Sequence, residues 1–479
     1  MKILFAAAEC APFFKSGGLG DVAGALPKKL KEKGHDIRVI LPYMSLIPKE
    51  YQEATTDVLD FVIDVGWRKQ YCGIKTLTLN DVQYYFIDNQ YYFNRPAIYG
   101  YDDDGERFAF FQQALIEAME KLDFIPDIVH TNDYHTAFVP FLLKEKYRWI
   151  NAFQQIQTVL TIHNIEFQGY FEPYTLGDWF QTGAEHFEDG MIAQNGMVNW
   201  LKSGIVYADR VNTVSPNYAK EIQTGEFGCG LDAILRQESQ KLVGILNGID
   251  YSIYDPMHDR HIFEPFDQTT LNKKTENKLQ LQKLLGLPIE KDVPMIGMVS
   301  RLTHQKGFHL VMEKMEELLT QQAVQIVVLG TGETGFEDGF RYFESRFPEK
   351  VRACITFDVD LAQKIYAGAD MFLMPSAFEP CGLSQMMSMR YGTLPIVHQI
   401  GGLSDTVWPF NPVTHEGTGF GFVDFQAYAL KQAVDLALHI YKEVPDVWRE
   451  VVIRAMDVDF SWETASEHYI HLYHEMVGM

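Results

Sequence analysis

Short, continuous apolar runs recur along the chain and constrain its fold more than any other feature. In the first half they read KILFAAAE, DIRVILP, DIVHTND, TVLTIHN and RVNTVS, and in the second half PMIGMVSR, VQIVVLG, ACITF, MFLMPS and LPIVHQI. Continuous rather than alternating hydrophobicity is typical of strands buried on both faces, as in parallel sheets. Intervening segments such as GFHLVMEKMEELLTQQ have helical period. This βα repetition predicts an α/β protein with a doubly wound parallel sheet in each half.

The chain length and one polar segment predict two domains. At 479 residues the chain is too long for one typical hydrophobic core. The segment GILNGIDYSIYDPMHDRH lies between the two groups of apolar runs and is rich in Asn, Asp, Gly and Pro, which is typical of a linker. We therefore expect a Rossmann-like first domain over residues 1–245 and a second domain from residue 246 onward.

Charge and cysteine usage exclude several classes of partner and site. The net charge of −23 argues against nucleic acid or an anionic membrane as the main partner, because there is no basic surplus to displace counterions. The five cysteines are scattered and form no CxxC pair, so the sequence indicates neither a disulfide framework nor a zinc site and fits a reducing cytoplasm. The first apolar run is too short for a signal peptide, and no run approaches the roughly 18 residues of a membrane span.

A glycine-rich stretch, FFKSGGLGDVAG, directly follows the first predicted strand. It is not a P-loop, because Lys15 precedes the glycines. Its GxGxxxG pattern over Gly18–Gly24 is one residue longer than the dinucleotide fingerprint, and no acidic residue ends the second strand. The stretch predicts a turn into a helix N-terminus that can receive an anion, with charge from Lys15 and with Asp21 placed to accept from a hydroxyl. A turn that serves packing alone is the alternative.

Polar residues follow many of the predicted strands, at the edge where open α/β sheets bind ligands. They are Lys15, Asp21, Asp133, His135, His163, Asn164, Asn247, Arg301, Lys306, Ser376 and Glu379. Each one alone has a structural explanation, such as a hydrogen-bonded core histidine or a carboxylate in the first turn of a helix. Together they place cations beside the ligand edge in both halves. Two domains facing each other would bring them around one anionic, hydroxyl-rich ligand, such as a nucleotide sugar.

Seven motifs closely resemble those of bacterial glycogen synthases and plant starch synthases. They are KSGGLGDVAGALP, TIHNIEFQG, VYADRVNTVSPNYAKEI, GILNGIDYSIYDP, MVSRLTHQKG, PSAFEPCGLSQMMSMRYGTLPIV and GGLSDTV. They occur in the expected order from residue 15 to about residue 407, and FSWETASEHYIHLY near the end also matches. The pair KxGGLGDV and EPCGLxQ is specific to this family, whereas RLxxQKG is shared more widely by two-domain glycosyltransferases.

The resemblance implies a GT-B fold, in which two doubly wound Rossmann-like domains, 1–245 and 246–457, face each other across a deep cleft. It further implies that residues 458–479 form a helix that crosses back to the first domain. The implied reaction transfers glucose from ADP-glucose to the nonreducing-end 4-hydroxyl of an α-1,4-glucan, with retention of configuration. The acceptor would be glycogen or a maltooligosaccharide, and neither a metal nor another cofactor would be needed.

The resemblance also implies five catalytic residues, namely Lys15, His163, Arg301, Lys306 and Glu379. Arg301 and Lys306 would neutralise the diphosphate leaving group, and Lys15 would meet the donor phosphates. His163 would lie beside the glucose with its backbone carbonyl near the anomeric carbon, and Glu379 would hold glucose hydroxyls. Such roles fit the chemistry, because preorganised cations stabilise the negative charge that develops on a departing diphosphate.

A larger implied set binds the donor: Lys15, Gly17, Gly18, Asp21, Asn247, Arg301, Lys306, Phe357, Cys381, Gly382, Leu383 and Ser384. Phe357 would stack on the adenine, and Ser384 would lie near the phosphates. The loop glycines would let backbone N–H groups approach the diphosphate. Asp133 and His135 would lie on the acceptor side.

The chain departs from the family pattern at a few positions. Ala377 replaces an arginine before FEPCGL, His398 lies where a basic residue usually precedes GGL, and Met387 replaces a glutamate that binds ribose in some relatives. Three other functions are alternatives: a nicotinamide-dependent oxidoreductase that uses the GxGxxxG loop, a glycan-binding scaffold with a degenerate site, and a transferase of the same fold that uses UDP-glucose. Retention by front-face departure and retention through a covalent intermediate both remain open.

Overall fold

The computed structural model describes residues 1–478, which form two compact units. The first unit contains Met1–Asn247 together with the segment that begins at Trp462, and the second contains Gly248–Ser461. The division near residue 247 lies close to the linker that the composition indicated. Within residues 1–478, none of the helices is both long enough and apolar enough to cross a membrane.

A nine-stranded sheet forms the centre of the first unit. The strands of this unit are β1 (Lys2–Ala6), β2 (Asp36–Pro42), β3 (Thr56–Val65), β4 (Arg68–Leu79), β5 (Val82–Asp88), β6 (Ile128–Asn132), β7 (Gln157–Ile162), β8 (Tyr170–Phe171), β9 (Ala193–Gln194), β10 (Met197–Asn199), β11 (Arg210–Thr213) and β12 (Leu242–Gly244). The large sheet has the order β12-β11-β7-β6-β1-β2-β5-β4-β3, and β8, β10 and β9 form a small separate sheet. The strands from β12 to β5 in this order pair in parallel.

Helices pack around this sheet. They are α1 (Gly18–Glu32), α2 (Lys49–Ala54), α3 (Gln90–Phe93), α4 (Asp104–Lys121), α5 (Tyr134–Ala137), α6 (Val139–Lys144), α7 (Thr175–Phe180), α8 (Glu185–Glu188), α9 (Trp200–Tyr207), α10 (Pro216–Glu221) and α11 (Asp232–Gln237). Helix α4 is buried along most of its length and belongs to a large hydrophobic cluster in this unit. A smaller cluster lies around β7, β11, α9 and α10.

The prediction of an entirely parallel sheet is wrong at one edge of the first unit. Strands β3, β4 and β5 pair antiparallel. The turn between β4 and β5 consists of Asn80 and Asp81, which both have positive φ, at 51° and 63°. Two such residues favour a tight hairpin. The alternating exposure of β3 also differs from that of the continuous apolar runs, because one face of this edge is solvated.

The second unit contains a six-stranded sheet in which every pairing is parallel. In chain order its elements are α12 (Leu271–Leu285), β13 (Met295–Val299), α13 (Phe308–Gln321), β14 (Gln325–Leu329), α14 (Thr334–Arg346), β15 (Val351–Cys354), α15 (Val359–Gly368), β16 (Met371–Met374), α16 (Ser384–Arg390), β17 (Leu394–His398), α17 (Gly401–Thr406), β18 (Phe420–Phe422), α18 (Ala427–Glu443) and α19 (Pro445–Asp457). The sheet order is β15-β14-β13-β16-β17-β18, as the doubly wound prediction requires.

The last helix, α20 (Trp462–Val477), belongs to the first unit. It begins later than residue 458, where the sequence placed the start of the C-terminal segment. The reason is that the backbone before it stays with the second unit, where the Ile249 amide donates to the Phe460 carbonyl at 2.8 Å.

Helix α20 docks through buried tyrosines and surface ion pairs. The Tyr473 hydroxyl lies 2.6 Å from Nδ1 of His130 in β6, and both side chains are buried. At the surface, Lys33 at the end of α1 pairs with Glu463 at 2.5 Å. Exposed pairs contribute little to stability, so the buried contacts dominate this docking.

We expect Tyr473→Phe to weaken the docking of α20, because it leaves a buried imidazole nitrogen without its partner. The expected loss is about 1–3 kcal/mol of local stability. Amide hydrogen exchange of peptides from β6 and α20 measures this loss. Tyr428→Phe is the matched control, since it removes the hydroxyl of an exposed tyrosine that donates to Asp424. Equal protection in the two variants would contradict the role of the buried bond.

Candidate active site

The glycines after β1 serve two different purposes. A Cβ on Gly20 would lie 2.3 Å from Cβ of Lys15, and a Cβ on Gly24 would lie 2.7 Å from the Ala11 carbonyl oxygen. These two positions therefore admit only glycine for internal packing. A Cβ on Gly17 or Gly18 would meet nothing within 4 Å. The first turn of α1 thus borders open space, where a ligand can approach the backbone.

A buried carboxylate, that of Glu9, lies beneath this loop and is 2% exposed. Its oxygens accept hydrogen bonds from the amides of Ser16 (3.0 Å), Gly17 (3.1 Å) and Gly20 (3.0 Å), from Oγ of Ser16 (2.6 Å) and from the Tyr99 hydroxyl (3.2 Å). The expectation that the loop amides face a ligand is therefore wrong for these three. Their hydrogen bonds are made inside the protein.

The two charged residues of the loop contact each other. Nζ of Lys15 donates to Oδ1 of Asp21 at 2.6 Å, and both side chains remain partly exposed. An exposed pair of this kind is weak, so a more highly charged ligand can compete for the ammonium.

His163 follows β7, and its ring is neutral. Its Nε2 lies 2.9 Å from Oδ1 of Asn132, whose Nδ2 donates to the Ala6 carbonyl at 3.0 Å. Since Oδ1 accepts, Nε2 of His163 carries the proton and Nδ1 is the acceptor nitrogen. Burial lowers the pKa of His163 to about 3. The ring therefore carries no positive charge near neutral pH.

Asp133 links β6 to α5 in a strained backbone conformation, with φ of 55° and ψ of −176°. Residues other than glycine rarely adopt this region, which costs about 1–3 kcal/mol and is found mainly at functional sites. Oδ1 of Asp133 accepts from the His163 amide at 2.7 Å. Desolvation nevertheless raises the pKa of Asp133 to about 7, since it outweighs the hydrogen bonds from the amides of His163 and Asn164.

Two of the predicted residues in the first unit carry buried polar atoms without partners in residues 1–478. They are Nδ1 of His135 and Oδ1 of Asn247. The His135 ring packs against Tyr134 and Tyr99, with ring centroids 3.8 Å and 4.6 Å away, and burial lowers its pKa to about 3. Buried polar atoms usually have a partner, so both atoms are points where a ligand could bind.

In the second unit, Lys306 and Glu379 form a nearly buried ion pair. Nζ of Lys306 donates to Oε2 of Glu379 at 2.8 Å, and the side chains are 14% and 9% exposed. Oγ of Ser376 donates to the same oxygen at 2.9 Å. These two bonds fix the orientation of the carboxylate at the carboxyl end of β16.

Backbone contacts hold the loops of this pair together. The Ala377 amide donates to the Gln305 carbonyl at 2.8 Å. Gly307 has φ of 77°, and a Cβ there would lie 1.9 Å from the Pro375 carbonyl oxygen. Only glycine permits this approach, so the HQKG and PSAFEP segments form one rigid structure.

The EPCGL segment is fixed in a similar way. The Gly402 amide, in α17, donates to the Glu379 carbonyl at 3.0 Å. A Cβ on Gly402 would lie 2.1 Å from the Cys381 carbonyl oxygen, and Gly382 has φ of 75°. Ser384, the first residue of α16, accepts from the Tyr366 hydroxyl at 3.3 Å. The backbone from Cys381 to Ser384 is thus preorganised.

Three further residues of the second unit differ in environment. Phe357 is 83% exposed, so its ring is available for stacking. Arg301 is also exposed, directly after β13. His398 is buried instead, with Nδ1 2.7 Å from the Ser376 carbonyl and Nε2 3.1 Å from the Val423 carbonyl. It therefore supports the turn before Glu379 and does not replace an exposed basic side chain.

Comparison with known proteins decides the family. Residues 2–237 match the starch synthase catalytic domain, and residues 286–450 match the glycosyl transferases group 1. A glycogen synthase of Ligilactobacillus salivarius is 60% identical over 478 residues, which cover 100% of both chains. The chain belongs to the glycogen and starch synthase family. A glycogen synthase of Streptococcus pneumoniae strain CGSP14 is 57% identical over the same coverage.

Two solved structures support the fold. The catalytic domain of Starch Synthase IV from Arabidopsis thaliana, solved with ADP and acarbose, has a TM-score of 0.92 and 32% identity and covers 100% of this chain and 99% of its own. Sucrose-phosphate synthase from Thermosynechococcus elongatus, at 17% identity, has a TM-score of 0.61 and shares the fold alone. The predicted family and GT-B fold are confirmed.

Within this glycogen and starch synthase family member, the structure brings several predicted residues into contact. Lys15 contacts Asp21, Asp133 contacts His163, and Lys306 contacts Glu379. The sequence motifs indicate no role for Glu9. Its position directly between the first strand and the glycine loop was the available signal. In residues 1–478, no group of three or more His, Cys, Asp or Glu residues could hold a metal ion.

We expect the stability of the protein to depend on pH through Asp133. Its pKa in the folded state, about 7, exceeds the ordinary value of 3.8. The folded protein therefore keeps a proton that the unfolded chain releases, and the free energy of unfolding falls as pH rises from about 4 to about 7. Asp133→Asn removes this titration. Between pH 5 and pH 8 the melting temperature should fall less in the variant than in the wild type. An equal fall in the two proteins would contradict the role of Asp133.

Proposed function

We propose that the chain is a glycogen synthase that transfers glucose from ADP-glucose to the nonreducing-end 4-hydroxyl of an α-1,4-glucan, with retention of configuration. The observation that carries the proposal is the nearly buried Lys306–Glu379 pair at the carboxyl end of β16, next to the preorganised EPCGL backbone. The exposed Arg301 follows the neighbouring strand β13. Full-length identity of 57–60% to glycogen synthases supports it. The five cysteines, scattered and free of disulfides, support a location in the reducing cytoplasm.

The second unit supplies the chemistry for donor cleavage. Breaking a glycosyl–phosphate bond places negative charge on the departing diphosphate, which fixed cations stabilise. We assign this role to Arg301 and Lys306, and adenine stacking to Phe357. Both hydrogen bonds to Glu379 use Oε2, which leaves Oε1 to accept from a glucose hydroxyl. Cys381, Gly382, Leu383 and Ser384 would hold glucose and phosphate with their fixed backbone.

The first unit supplies donor and acceptor contacts. We assign phosphate binding to Lys15 and to the open first turn of α1 at Gly17 and Gly18, with Asp21 and Asn247 also on the donor. His163 would contact glucose through its backbone carbonyl, since its ring is neutral and bonded to Asn132. Asp133 and His135 would lie on the acceptor side.

Glucose incorporation into glycogen tests the function. Labelled ADP-glucose and UDP-glucose are supplied in parallel, each with a metal chelator. We expect transfer from ADP-glucose with the chelator present, because Lys15, Arg301 and Lys306 supply the cations that a metal would otherwise provide. Transfer from UDP-glucose alone would contradict the donor, and transfer from neither would favour a glycan-binding protein without activity.

We expect Glu379→Ala to lower turnover by about 10²–10³-fold, the range found when one preorganised group for transition-state charge is removed. The variant loses the glucose contact and frees the Lys306 ammonium. Glu317→Ala, which breaks surface ion pairs with Lys314 on α13 and Lys431 on α18, is the control and should keep wild-type turnover. Steady-state rates with ADP-glucose provide the comparison, and near-normal turnover in Glu379→Ala would refute its role.

Two glycine substitutions should separate ligand binding from packing. Gly18→Ala places a methyl group in open space, so we expect an unchanged melting temperature and ADP binding weaker by about tenfold, or 1.4 kcal/mol. Gly20→Ala forces a clash with Lys15 and should lower the melting temperature. Calorimetry with ADP and thermal melting measure the two effects. The interpretation fails if Gly18→Ala binds ADP as the wild type does.

A further inference from the structure

The carboxylate of Glu9 is saturated by the loop above it. A carboxylate offers about four acceptor positions, and five donor contacts reach Glu9 at 2.6–3.2 Å. It therefore has no capacity left for a substrate hydroxyl. Glu9 acts through the groups that it holds.

Glu9 determines which amides at the start of α1 have an acceptor inside the protein. The amides of Ser16, Gly17 and Gly20 are bonded to it. Among residues 1–478, no acceptor contacts the amides of Gly18 and Leu19, which begin the 15-residue helix α1. Unpaired N–H groups at the start of a helix are the groups that bind phosphate. These two amides of the first turn of α1 are therefore available for that purpose.

Glu9 also fixes the position of Lys15 through Gly20. The Gly20 amide donates to Oε1 of Glu9 at 3.0 Å. The position of a Cβ on Gly20 lies 2.3 Å from Cβ of Lys15 and 3.4 Å from Oε1 of Glu9, so the lysine stem packs directly on this glycine. A shift of Gly20 would move the root of the lysine side chain. The ammonium and the two free amides are therefore set by one buried anion.

We propose that Glu9 is a positioning residue that arranges the Lys15 ammonium and the amides of Gly18 and Leu19 to bind the diphosphate of the sugar donor. This inference rests on the proposed function and deepens it. The carboxylate carries a negative charge beneath an anion-binding loop, and this arrangement is tolerated because five donors surround the charge. The contribution of Glu9 is geometric: it accepts hydrogen bonds from three loop amides and leaves those of Gly18 and Leu19 free to bind a phosphate.

Glu9→Gln tests the proposal with almost no change in shape. The amide oxygen keeps the bonds to Gly17 and Gly20, but the NH₂ group opposes the Ser16 amide, which has no other acceptor at that position. We expect KM for ADP-glucose and Kd for ADP to rise at least about tenfold. KM for glycogen should stay within about twofold of the wild-type value, because the loop is assigned to the donor.

Asp209→Asn is the matched control. Asp209 accepts from the amide and hydroxyl of Thr158, at 2.8 Å and 2.9 Å, near the amino end of β7 and so at the opposite edge of the sheet. The Asp209→Asn variant should have a lower melting temperature than the wild type and an unchanged KM for ADP-glucose. If Glu9→Gln behaves in the same way, Glu9 has only a structural role and the proposal is wrong.

A milder variant keeps the test decisive if Glu9→Gln fails to fold. Ser16→Ala removes only the 2.6 Å hydroxyl bond to Glu9 and should raise Kd for ADP about threefold in a folded protein. An unchanged Kd would overturn the proposal. If the wild type transfers glucose from ADP-glucose and Glu9→Gln has the same KM for ADP-glucose, this inference alone is refuted. If the wild type neither binds ADP nor transfers glucose, the proposed function is refuted as well.

Discussion

Parallel strand pairing is the constraint on which the candidate site depends. In a parallel sheet the carboxyl ends of neighbouring strands lie at one edge, whatever their order in the chain. Glu9, Asp133 and His163 follow β1, β6 and β7, which are neighbours in the first sheet. Arg301, Glu379 and the end of β17 are related in the same way through β13, β16 and β17. Residues far apart in sequence therefore meet without any long loop to bring them together.

Burial then decides which groups carry charge. His130, His135 and His163 all lie inside the first unit, where desolvation lowers each pKa to about 3 and keeps the rings neutral. Positive charge at the candidate site is consequently left to lysine and arginine. The strained Asp133 carboxyl titrates close to neutral pH instead, because desolvation raises its pKa to about 7.

The parallel strands and the residues after them could be predicted, because burial on both faces leaves continuous apolar runs in the sequence. The β3–β5 edge was missed, although Asn80–Asp81 and the alternation in β3 indicated a hairpin. The five bonds of Glu9 and the backbone strain at Asp133 could not be predicted, since both arise from tertiary packing. His398 shows the same limit: its place before GGL is one where an exposed basic side chain is usual, but the ring is buried between two carbonyl oxygens.

The return of α20 to the first unit has a consequence for synthesis on the ribosome. Tyr469 and Tyr473 fill part of the core beside β6 and β11, yet they are made after the whole second unit. Until the residues of α20 have been synthesised, the first unit lacks this part of its core and His130 lacks its Tyr473 partner. A chain truncated before Trp462 therefore lacks part of its first core and exposes apolar surface, which favours aggregation.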